Sequence, residues 1–237
     1  PELEEKMRRY VKDGRILPPA GHVILLEGYY PTTAHVNMTN VTHVIGTDCL
    51  DRTRAEIHAR KQIPQIVQFL RECVPGYENC FVIASGCYAG VRESRHFEGE
   101  YILTEHDIIA QKIFPDWIVS NASSSFNNHS LSGSGPDASN LVYKGERYTI
   151  PYRSFLPKAV RNLLLNGRNI SGNHMSHSSF RVMPICFAMG EGVGTAAALA
   201  IKKQTDLCNV DTKEVQRILI EEYGITPPSP RKIDWGN

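Results

Sequence analysis

Apolar positions along the chain change their spacing several times, and each change marks an element. From Gly21 to Val44, Val, Ile, Thr and Tyr recur with partial alternation, which predicts two or three strands, and Pro31 with the threonines after it predicts a turn among them. From Asp51 the spacing becomes helical: Ile57, Ile63, Val67 and Leu70 recur with Arg, Glu and Gln between them. Asp51 or Thr53 is the expected cap, Pro64 is expected to kink or split this helix, and Pro75-Gly76 to end it. The run CFVIASGCYAGV reads as a buried strand followed by a glycine turn. A short strand and a helix come next, with Thr104 at the N-cap and Asp107 at the capping-box position.

The second half opens with a long Ser/Asn/Gly loop, about Ser120 to Lys144, either mobile or folded over a site. ERYTIPYR then reads as a strand and NLLLNG as an apolar strand. Asp211 and Glu214 form a capping box for a last helix with Val215, Ile218 and Leu219 as its apolar stripe, and the proline-rich tail after Gly224 reads as an exposed end.

Between the apolar strand and the last helix lies RVMPICFAMGEGVGTAAALAIKK, with Gly190, Gly192 and Gly194 at alternate positions. A phosphate-binding P-loop requires a lysine where Gly194 stands, and the dinucleotide fingerprint requires a glycine where Thr195 stands. What remains is a glycine- and alanine-faced helix, with Pro184 in its first turn. Its missing side chains allow close helix–sheet packing or the approach of a flat ligand, and a helix N-terminus carries free N–H groups with a partial positive charge. The strand ending at Gly167-Arg168 and a polar loop with two histidines precede it. A strand end meeting a helix start is where α/β proteins bind ligands.

Composition narrows the classes. The 237 residues suffice for one large domain or two small ones, with the composition of an ordinary soluble globular protein. Twenty-six Lys and Arg against 25 Asp and Glu give a net charge of +1, which leaves no electrostatic footprint for nucleic acid. No apolar stretch reads as long enough to cross a bilayer. The six cysteines contain no C-x-x-C pair, so they read as buried small hydrophobes, and no metal site is expected. The chain begins at Pro1, which reads as a processed product or a piece of something longer.

The run LLLNGRNISGNHMSHSSFRVMPICFAMGEGVGTAAALA resembles the C-terminal flavin-contacting segment of the FAD-dependent oxidoreductase family. Upstream, VNMTNVTHVIGTDCLDRTRAEIHAR, VPGYENC, GVRESRHFEGEYILTEHDI and YTIPYRSFLPKAVRNLLLNGR resemble the middle, substrate-side part of that family, so the likeness runs roughly from Val36 to Lys202. It implies an α/β to α+β fold: a mixed-sheet substrate-side domain plus the C-terminal strand–helix return of a flavin-binding fold. Residues 1–150 would form mostly the substrate-side region, 151–205 the flavin-contacting strand–loop–helix, and 206–237 a C-terminal helix and tail.

The resemblance implies FAD as cofactor, with Gly167, Arg168, Arg181, Gly190, Gly192, Gly194 and Thr195 on the cofactor side and the glycine helix start facing the flavin. It implies Arg92 and Arg95 gripping a small-molecule substrate, and His174 or His129 handling a proton. The family's dinucleotide-binding βαβ unit is not found in the sequence, so the same longer chain or a partner chain is expected to supply it. Two rivals remain: a non-catalytic binding or structural module derived from a flavoprotein, and a flavin-free lyase or hydrolase using His129, His174 or His177 as base.

Overall fold

A computed structural model describes residues 2–128 and 146–229, which form two compact units, residues 2–94 in one and residues 95–128 with 146–229 in the other. Helices and short antiparallel strands make both, so the class is mixed α/β. The expected mixed sheet is not formed: among the described residues there are two separate two-stranded antiparallel sheets.

The first unit is built on α1 (Glu2–Lys12), the hairpin β1 (Leu25–Glu27) and β2 (Ala34–Val36), and α2 (Cys49–Cys73). The hairpin turns through Pro31, as its residues predict. The start of α2 lies earlier than expected. Asp48 is the N-cap, its carboxylate accepting the Asp51 N–H at 2.8 Å, while the Asp51 side chain turns back to the Ile45 N–H and to Arg54. Pro64 does not split α2 into two elements, for the 25-residue helix runs through it with Pro64 exposed.

Helix α1 meets α2 through Tyr10 and Phe69, edge to face with centroids 5.1 Å apart. The Arg15 guanidinium covers the other side of Tyr10 at 3.9 Å from the ring centroid, and Glu72 binds both Arg15 and the Tyr10 hydroxyl. Those donors, Tyr10 first, hold the Glu72 carboxyl down at about 2. The run at residues 80–91 is not a buried strand. It has no regular structure, and Phe81 and Ile83 are about three-quarters exposed (75% and 73%).

The second unit starts with α3 (Glu105–Ile109), which has the predicted capping box at Thr104 and Asp107. The strand expected before it is reduced to two isolated bridges, Gly99 to Pro157 and Leu103 to Gly172. The sheet comprises β3 (Trp117–Ala122), which the residue pattern did not announce, and β4 (Tyr148–Pro151), which it did. Val119 pairs with Ile150, and the register shifts on either side of that pair. NLLLNG forms no strand, and Leu163 is exposed. The loop expected from Ser120 begins as the end of β3, and its residues 129–145, with His129 among them, lie outside the described residues.

Three further helices close the unit: α4 (His174–Phe180), α5 (Met183–Lys203) and α6 (Thr212–Glu221). Asp211 caps α6 by accepting the Lys213 N–H, whereas Glu214, expected in the box, pairs with Lys203 at 3.2 Å. Val215 and Leu219 face the core as predicted. By length and composition α5 matches a membrane-crossing helix, contrary to the sequence expectation, but core helices pass the same test. Here its buried side, Met189, Gly192, Ala196 and Leu199 among it, packs against β3 and α6.

Candidate functional site

The chain from Asn166 through α4 into the first turns of α5 gathers most of the predicted cofactor-side residues. Gly167 holds φ +92°, a left-handed conformation that suits glycine, and the space a β-carbon would occupy there is open. Ile170 and Ser171 are fully buried and anchor the approach to α4. Ser171 accepts the Leu103 N–H on its carbonyl at 3.0 Å and the Gly99 N–H on its hydroxyl at 3.0 Å.

The segment expected as a polar loop is helix α4. Asn173 caps it by accepting the Ser176 N–H at 2.9 Å, and Glu105 takes the Asn173 amide. Its serines are buried anchors. Ser176 donates to the Leu103 carbonyl at 2.8 Å and Ser179 to the Ser124 carbonyl at 2.6 Å, with the Tyr148 hydroxyl 3.0 Å from the Ser179 hydroxyl. His174 is the first residue of α4 and is exposed, while His177, one turn on, is buried (1% exposed).

Arg181 ends α4, half-buried, and Val182 is the N-cap of α5. Val182 does not cap α5 with its side chain: it is extended and offers no acceptor, and Pro184 occupies the first turn. The first N–H groups of such a helix have no partner within the helix itself, and they favour an acceptor brought to them. Arg168 reaches this end of the helix electrostatically. Burial pushes the Cys186 thiol up, and the Arg168 charge pulls against it.

The three glycines do not stand at the helix start. They lie two turns inside α5, so their N–H groups belong to its hydrogen-bond ladder, and each faces differently. A β-carbon on Gly190 would approach the Asn166 amide nitrogen at 3.3 Å, which brings this glycine beside the Gly167 segment. Gly192 presses on β3, and Gly194 opens onto free space. Thr195 is buried and donates to the Glu191 carbonyl at 2.8 Å, a bond internal to the helix. The structure thus sets the Gly167 segment, through Asn166, against Gly190 two turns into α5, lets the Arg168 charge reach Cys186 nearer the helix start, and puts Gly192 and Thr195 on the packing face.

Arg92, half-buried in the first unit, has its charge disfavoured by that burial, while Arg95 is exposed at the start of the second. The first unit also holds an open groove of about 870 Å³ between α2 and residues 31–39 and 76–90. Glu56 and Arg60 clip one rim, with Arg60 donating to the Gly86 and Cys87 carbonyls at 3.2 Å. Among the described residues, none of those predicted for the site lines this groove. Sequence reasoning passed over His96, which stands next to Arg95 and meets His177 in space; their distance along the chain leaves no local signal.

The α5 start, with the Arg168 charge acting on Cys186 in its first turn, is of a chemistry that suits an electron-rich ring edge. Among the described residues no βαβ unit is formed that would seat the pyrophosphate half of FAD. A family model described as FAD dependent oxidoreductase matches residues 3–219, and the chain belongs to that family. No curated protein and no solved structure matches it.

Proposed function

We propose that the chain is the substrate-side and C-terminal portion of a flavoprotein oxidoreductase that takes a hydride from a small organic substrate, a sugar, polyol or acid. FAD would supply the two-electron acceptor; the chain's residues supply binding, orientation and field. The observation that carries the reading is the N-terminus of α5, whose N-cap Val182 offers no side-chain acceptor and whose first turn feels the Arg168 charge at Cys186, in a member of this family. N–H groups aimed out of a helix start favour negative charge, and Arg168 adds to the same field. Arg95, exposed, and Arg92 are the residues proposed to hold a substrate carboxylate or carbonyl. His174, exposed at the head of α4, is proposed to take or give the proton, and His129 is the other residue proposed for it. The dinucleotide-binding unit would come from the same longer chain or from a partner chain.

The test is an absorbance spectrum of the purified chain before and after addition of FAD, repeated on the protein extended upstream where the reading frame allows. Oxidised-flavin bands that co-purify or shift on titration support the reading, and bands present only in the extended protein support it for the longer chain. A colourless extended protein that ignores FAD overturns it. In that case the second reading, a non-catalytic module, takes its place, favoured by the exposed Phe81 and Ile83.

A further inference from the structure

His96 stands directly after Arg95 in an irregular segment, and His177 sits in the middle of α4, yet both belong to the second unit and their rings meet. The centroids lie 5.0 Å apart with the planes at 85°, and a nitrogen of each ring lies within 4.8 Å of the other's. His96 Nδ1 is 3.1 Å from the Ile170 carbonyl oxygen. A carbonyl only accepts, so Nδ1 is the donor in this contact and Nε2 is the nitrogen on the side of the ring away from Ile170. His177 is held from its far side by Phe180, edge to face at 5.4 Å, so its ring plane is set by packing.

Edge-to-face packing alone tolerates centroid separations from about 4.5 to 7 Å. A shared metal ion is more demanding. With a metal–nitrogen bond of about 2.1 Å, the ion lies roughly 3.2 Å from each imidazole centroid, and two imidazoles at a near-tetrahedral angle then have centroids about 5 Å apart. The observed 5.0 Å meets that value. An imidazole that binds a metal is regularly oriented by a bond of this kind on its other nitrogen.

We propose that His96 and His177 form a two-imidazole clip for a divalent transition-metal ion of the zinc class, its remaining positions open to water or to a ligand atom. Neutral imidazole suits Zn²⁺, Ni²⁺, Cu²⁺ and Co²⁺, not the hard cations Mg²⁺ and Ca²⁺. The clip ties the segment after Arg95 to α4, and protons compete with the ion as pH falls below the imidazole range.

The experiment is titration of the full, tag-free chain, stripped with chelator, with Co²⁺, followed by its visible absorption and by displacement with Zn²⁺. One equivalent is expected to bind in the micromolar range and to be displaced by Zn²⁺ but not by Mg²⁺. Removing one of two protein ligands in His96→Ala should weaken binding by about tenfold or more, while His106→Ala, at an exposed histidine of α3, leaves it unchanged. His96 is half-buried in an irregular segment, so its variant is the one relied on, with circular dichroism confirming the fold. Binding no tighter than millimolar, equal binding in His96→Ala, or loss in His106→Ala would overturn the proposal.

Discussion

Gly192 lies directly against the main chain of Ile118: a β-carbon at Gly192 would stand 2.5 Å from the Ile118 carbonyl oxygen. That approach lets α5 settle on β3, and it separates packing from ligand access among the three alternate glycines. Gly194, two residues on, has nothing within 4 Å of the same position.

The two glycines therefore respond to alanine with opposite signs. Gly192→Ala should lower stability by about 1–3 kcal/mol, because overpacking against rigid backbone outweighs the helix propensity gained. Gly194→Ala adds a methyl to open space inside a helix and should raise stability by roughly 0.5–1 kcal/mol. Denaturant midpoints of the two variants check this. A destabilised Gly194→Ala would show that its face is covered in the folded protein.

In the first unit, Gln62 is a fully buried amide with all its bonds spent on distant backbone. Its oxygen accepts the Asn40 N–H at 2.9 Å, and its nitrogen donates to the Asn40 carbonyl at 2.8 Å and the Leu17 carbonyl at 3.1 Å. Gln62→Leu preserves bulk but strands those backbone groups, at roughly 1–3 kcal/mol for each one left buried. The variant should unfold at lower denaturant and exchange the Asn40 amide hydrogen faster, which hydrogen exchange reads directly.

Asp107 links stability to pH. Burial works to raise its carboxyl, but donors from Lys112, Tyr101 and Thr104 outweigh burial and hold it below the ordinary value. A carboxyl depressed in the folded state stabilises fully above its unfolded value, about 3.9 for Asp, and loses that contribution as pH falls through its folded value. Asp107→Asn should lower the melting temperature at pH 6 and narrow its gap from the parent as pH drops below about 4. A parent and variant that stay equally far apart down to pH 2 would contradict the linkage.

What the sequence discloses depends on whether a pattern is satisfied locally. The Thr104–Asp107 box, the Asp211 cap and the apolar stripe of α6 need only neighbours along the chain, and all are readable. Strands need a partner. CFVIAS and NLLLNG are apolar enough to be strands, yet Phe81 and Leu163 remain exposed because no neighbouring strand pairs with them among the described residues. The reverse error is α4: HMSHSSF looks like a polar loop because its hydroxyls bond to Leu103 and Ser124, partners that only the fold supplies. The site divides the same way. The glycine run and Pro184 identified the right helix and its first turn, but not that the glycines stand two turns away from the helix start, and His96 with His177 became a pair only in three dimensions.

Val182 offers a test in which stability and flavin binding move apart. As the N-cap of α5 it has extended backbone, φ −68° and ψ 145°, and no side-chain oxygen to accept an N–H. Val182→Thr is nearly isosteric and supplies that oxygen. With the cap made, the chain should gain roughly 0.5–1 kcal/mol in stability, the range typical of an N-cap hydroxyl. If the same N–H groups serve the flavin ring, the hydroxyl competes with it. The flavin-bearing protein should then bind FAD several-fold more weakly and hold the reduced form less well, read as a more negative midpoint potential. A variant that is more stable yet binds FAD with unchanged affinity and potential would show that α5 meets no flavin at its N-terminus. A variant with no gain in stability would show that those N–H groups already have an acceptor.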